Sequence, residues 1–71
     1  MSPRRLGMRI KRLRIKNELT QAALAKRAKI SRVHLANIES ADTAPHHRSP
    51  SLAVLERLAR ALDVSVTELL E

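Results

Sequence analysis

Apolar residues recur along this chain at three- and four-residue intervals, and the alternation expected of a half-buried strand is almost absent. Leu6, Ile10 and Leu13 form one stripe, which predicts a first helix from about Arg4 to Asn17, with Arg9, Lys11, Arg12 and Lys16 turned elsewhere. Pro3 suits its first turn, where a missing N–H costs nothing. Thr20 is positioned to cap a second helix over Gln21 to Ala28, its hydroxyl accepting from the amide of Ala22 or Ala23, with Leu24, Ala25 and Ala28 inward. Lys29, Ile30 and Ser31 then separate it from a third helix, capped by Ser31, which runs from Arg32 to about Ser40 and buries Leu35 and Ile38. The small, polar, proline-containing stretch from Ala41 to Ser49 reads as a loop. Pro50 and Ser51 open a fourth helix to about Leu62, with Leu52, Leu55, Leu58, Ala59 and Leu62 on its stripe. Ser65 and Glu68 have the spacing of a capping box and start a last turn or two through Leu69 and Leu70. The expected fold class is all-α: a compact bundle of five short helices containing a helix-turn-helix.

Seventy-one residues fit one domain, expected to span 1–71, and a domain of this size buries only about 60% of its unfolded surface. With no cysteine there is neither a disulfide nor a thiolate metal site to reinforce that thin core. Phe, Tyr and Trp are also absent, which removes the aromatic platforms on which single-strand and RNA-recognition modules stack bases. No apolar run approaches a membrane span, and Met1 to Arg14 lacks the apolar centre of a signal peptide, so the chain is expected to be soluble, unexported and cytoplasmic.

Charge is more informative than composition. Residues 1–32 carry eleven of the fourteen Lys and Arg against Glu18 alone, while residues 33–71 carry three cations against six acids. A field this polarised draws a polyanion to one side, whereas a surface built for solubility alone mixes its signs. The N-terminal half is therefore the candidate binding face for a polyanion.

Two short helices separated by about three residues, the second offering a polar outer face, have the form of a helix-turn-helix. The run L-T-Q-x-x-L-A-x-x-A-x-I-S-x-x-x-L-x-x-I-E from Leu19 to Glu39, followed by P-S-L-x-x-L-x-x-L-A-x-A-L-x-V-S-x-x-E-L-L from Pro50 to Leu70, resembles the phage repressor and Cro type of helix-turn-helix domain. The resemblance covers nearly the whole chain, including L-G-x-R-I-x-x-L-R from Leu6 to Arg14, and extends in size to small stand-alone regulators such as restriction–modification controller proteins. It implies a sequence-specific transcriptional regulator acting as a homodimer on a palindromic operator.

Position by position, the resemblance makes Gln21 a contact to the phosphate backbone that also braces the third helix. It places Arg32, Val33, His34 and Asn37 where the family reads bases. Their chemistry agrees, since Arg donates twice to guanine, Asn pairs twice with adenine and Val touches a thymine methyl. Ser31, Ser40 and Arg48 are further candidates for the DNA backbone. Arg14 and Glu39 are expected to form a structural ion pair joining the first helix to the third. Two features depart from the family pattern. Lys29 stands where the turn usually has glycine, so a left-handed backbone there costs about 1 kcal/mol, and the loop after Ser40 is several residues longer than usual.

One recognition helix spans too few base pairs for operator specificity, and a two-fold dimer is the usual remedy. Val66, Leu69 and Leu70 are the expected dimer contacts. Other functions have less behind them. There is no Gly-rich phosphate loop and no grouping of acids with histidine suited to acid–base chemistry, so no enzyme activity and no cofactor are expected. His46 and His47 lack the further ligands that a metal site needs. An antitoxin-like module, binding an unknown protein partner and regulating its own operon, is the main alternative. A membrane-surface role is disfavoured because the first helix has no aromatic anchors.

Overall fold

The computed structural model describes residues 3–40 and 50–70, and among these the secondary structure is entirely helical: α1 (Pro3–Lys16), α2 (Gln21–Ala28), α3 (Arg32–Glu39), α4 (Leu52–Ala61) and α5 (Val66–Leu70). The expected helices are all present, with ends displaced by a residue or two. Four of them start on hydroxyl caps. Thr20 accepts from the Ala23 amide (3.0 Å), Ser31 from that of His34 (2.9 Å) and Ser51 from that of Val54 (3.2 Å), each satisfying an amide that has no intrahelical partner. At α5 the capping box forms as the spacing requires: the Glu68 amide donates to Ser65 Oγ (3.1 Å) and the Ser65 amide to Glu68 Oε1 (3.4 Å).

The ends of α1, α2 and α4 repeat a single device. Glu18, Lys29 and Asp63 all lie in the left-handed region, with φ of 57°, 59° and 58°. The next amide in each case reaches back to a carbonyl five residues earlier: Leu19 to Arg14, Ile30 to Ala25 and Val64 to Ala59. These are Schellman closures, in which the following apolar residue folds back onto the helix, and Leu19, Ile30 and Val64 all pack against the core. Among the described residues, the left-handed Lys29 is thus one of three non-glycine residues that carry this strain.

The core is assembled from one stripe per helix. Leu6, Ile10, Leu24, Leu35, Leu58 and Leu69 are its largest fully buried side chains, and truncating any of them to Ala would cost about 2–5 kcal/mol. Helix α2 packs on α3 and α4, α1 packs on α3 and α5, and α4 packs on α5. Leu52 departs from expectation, being 63% exposed although it belongs to the α4 stripe by spacing. It occupies the first helical position, at the rim of the buried arc, and Val54 fills the core from the opposite rim instead.

Gly7, whose role the sequence pattern did not disclose, sets the closest approach of two helices. A Cβ there would collide with the carbonyl oxygen of Ile38 and press on that of Glu39. Glycine, a poor helix residue, is used in α1 so that α3 can lie directly against it.

Candidate nucleic-acid interface

The orientation of α3 is held by one buried polar cluster. Arg14 Nε donates to Glu39 Oε2 (2.7 Å) and Arg14 Nη2 to Glu39 Oε1 (3.0 Å), the two-pronged geometry in which a guanidinium matches a carboxylate best. Gln21 Nε2 donates to the same Glu39 Oε1 (3.1 Å), and Arg14 Nη1 donates to the Leu19 carbonyl (2.8 Å). The side chains of Arg14 and Glu39 are only 12% and 3% exposed. The C-terminal part of α1, the first residue of α2 and the last residue of α3 therefore meet at one carboxylate. The Arg14–Glu39 pair forms as the family resemblance implies, and Gln21 is its third member.

With Leu35, Ile38 and Glu39 turned inward, the helical period leaves Arg32, Val33, His34 and Asn37 exposed on the other side of α3. Val33 is 59% exposed on a face that is otherwise polar and charged, and no packing role inside the domain accounts for it. The four residues that the sequence singles out thus share one outward surface on a helix fixed from behind.

The hydroxyl candidates divide by how their protons are used. Ser31 Oγ accepts from the His34 amide, so its own O–H remains able to donate to a phosphate oxygen. Thr20 Oγ1 accepts from the Ala23 amide and has the same capacity. Ser40 differs: its hydroxyl donates to the Ala36 carbonyl (2.6 Å) and its amide donates to the same oxygen (3.0 Å), so a phosphate there must displace one of these bonds. Gln21 keeps the second N–H of its amide group after serving Glu39, which allows it to brace α3 and meet an anion at once. Arg48, with His46 and His47, lies outside the described residues.

The sequence profile of the helix-turn-helix family matches residues 10–69. The chain belongs to the helix-turn-helix family. It is similar, at 42% identity over 62 residues, to the immunity repressor protein of Bacillus phage phi105, in a match that takes in 87% of this chain and 40% of the repressor. This helix-turn-helix domain thus spans two fifths of that relative's length. Among solved structures it resembles the restriction-modification controller protein C.AhdI of Aeromonas hydrophila, with a TM-score of 0.84, 30% identity and 94% of each chain covered. It also resembles SinR of Bacillus subtilis, the master regulator for biofilm formation, solved in complex with DNA; there the TM-score is 0.79 at 33% identity, covering 93% of this chain and 98% of that one. The resemblance read from the motifs and the five-helix arrangement agree with these relatives.

The C-terminal end of this helix-turn-helix domain corrects one expectation. Leu69, expected at a dimer surface together with Val66 and Leu70, is 1% exposed and fills the core of its own chain. A helix of five residues has one inward position per turn, and Leu69 takes it where α5 meets α1 and α4. Leu70 is 38% exposed and Val66 is half-buried, which leaves these two as apolar surface. Among the described residues no helix is long and apolar enough to cross a membrane.

Proposed function

We propose that this chain is the DNA-reading domain of a transcriptional regulator that recognises a palindromic operator in double-stranded DNA as a homodimer, acting on the nucleoid in the cytoplasm. The observation that carries this reading is α3 itself: it is locked from behind by the buried Arg14–Glu39–Gln21 cluster, and it offers Arg32, Val33, His34 and Asn37 outward. Arg32 and Asn37 supply paired hydrogen bonds to base edges in the major groove, Val33 supplies an apolar contact, and His34 supplies a donor or acceptor. Gln21, Ser31 and, after exchange of a bond, Ser40 hold the flanking phosphates and set the register. The excess of cations in residues 1–32 provides the attraction that is independent of base sequence. Leu70 with Val66 is the surface on which two copies pair, so that two recognition helices stand one DNA turn, about 34 Å, apart.

The test compares a selected operator with a random duplex across several salt concentrations. Arg32→Ala and Asn37→Ala should each lower the preference for the operator by about 1–3 kcal/mol, while Gln21→Ala should weaken both duplexes alike. Melting of each variant monitors the loss of the Gln21–Glu39 bond separately from the loss of a phosphate contact. Equal weakening of both duplexes by Arg32→Ala would move Arg32 to the backbone, and affinity that does not change with salt would defeat the DNA reading altogether.

A further inference from the structure

A second concentration of positive charge lies away from the α3 surface. The C-terminal end of α2, the turn after it and α4 enclose a surface groove of about 400 Å³ lined by Arg27, Lys29, Arg57, Arg60 and Ala61. Four of these five residues are cations, none is an acid, and none belongs to α3. Charges of one sign gathered in a small concavity repel one another and raise the local potential. None of the four forms an ion pair among the described residues.

Helix ends account for only part of this arrangement. Cations are favoured in the last turn of a helix, which suits Arg27 in α2 and Arg60 in α4. Arg57 sits further back in α4, and its Nε is buried without any acceptor. A buried guanidinium N–H with nothing to donate to is costly, and such groups are rare in folded domains.

We propose that this groove is a binding site for the phosphate group of a small molecule, held by Arg57 together with Arg27, Lys29 and Arg60, and separate from the surface that reads DNA. A phosphate neutralises the four crowded cations, and a planar guanidinium can hold two of its oxygens at once. The groove is within the size range of small-ligand pockets, which leaves space for the remainder of a phosphate ester. Because Lys29 begins the turn into α3, the ligand ties α4 to the segment that positions the recognition helix.

The probes are inorganic phosphate and pyrophosphate, titrated into the protein with sodium chloride at matched ionic strength as reference. Amide resonances of residues 27–29 and 57–61 should shift and saturate. At tenfold excess over Kd the melting temperature should rise by roughly 5–10 °C above the chloride reference. Arg57→Gln and Arg60→Gln should abolish both effects with the helical content unchanged, whereas Arg32→Ala should retain them; should Arg57→Gln not fold, Arg60→Gln decides alone. An unsaturable response, or one of equal size in Arg57→Gln or Arg60→Gln, means that the anion is only a counterion and overturns the proposal. A fall in duplex affinity and in its salt dependence on Arg57→Gln assigns the groove to the DNA backbone instead, and overturns it equally.

Discussion

Replacing Glu39 by Ala removes three acceptor contacts at once, from Arg14 Nε (2.7 Å), Arg14 Nη2 (3.0 Å) and Gln21 Nε2 (3.1 Å). The guanidinium left behind is 12% exposed and retains only the Leu19 carbonyl. Breaking one side of a buried pair costs about 3–5 kcal/mol, because the remaining charge is stranded away from water. Since Arg14 keeps one acceptor, about 3 kcal/mol is the expected loss. In a domain of this size each kcal/mol moves the melting temperature by roughly 4–8 °C, so a fall of roughly 12–24 °C is expected. Total stability is expected to be roughly 4–11 kcal/mol, so the variant loses roughly a quarter to three quarters of it. Thermal and urea melts followed by circular dichroism measure the loss. Glu39→Gln, which keeps one carbonyl acceptor, should lose about half as much. The double variant Arg14→Met/Glu39→Leu should recover most of the stability, because it leaves no charge unpaired. If Glu39→Ala costs less than about 1 kcal/mol, the pair behaves as a solvent-screened surface bridge and the reasoning fails. If the double variant is as unstable as Glu39→Ala, the loss comes from packing rather than from a stranded charge.

Gly7→Ala should destabilise by about 1–3 kcal/mol, although Ala is the better helix former by nearly 1 kcal/mol; a raised melting temperature would mean that α1 and α3 can separate without loss. Asp63→Gly and Glu18→Gly should each stabilise by about 0.5–1 kcal/mol, since glycine relieves about 1–2 kcal/mol of left-handed strain and its greater unfolded-state entropy cancels only part of that gain. Unchanged melts would show that the strain is already relaxed. Leu69→Ala should cost about 2–5 kcal/mol because it opens the core, whereas Leu70→Glu should leave the fold intact and weaken self-association in sedimentation. A folded Leu70→Glu protein that dimerises as tightly as the wild type would exclude α5 from the interface.

The helices and their starts were legible because their causes are local. An apolar period of 3.6 identifies a helix, and a hydroxyl before it satisfies a free amide within three residues, so Thr20, Ser31 and the Ser65–Glu68 box could be placed from spacing alone. The face of α3 was legible for the same reason: once Leu35 and Ile38 point inward, Arg32, Val33, His34 and Asn37 must point out. The Arg14–Glu39 pair is different, since 25 residues separate its members and only the family resemblance joined them in the sequence. Tertiary structure alone decided the remainder. Whether Leu69 faces the core or a partner depends on where α1 and α4 close over α5, a choice that periodicity within five residues cannot make. Gly7 reads as a weak point in a helix until the backbone of α3 is seen against it, and Arg57 reads as one more surface cation until its Nε is found buried without an acceptor. Local pattern sets which side of each helix is apolar, but the distances between helices arise only when all five pack together, and both the close contact at Gly7 and the cationic groove are properties of those distances.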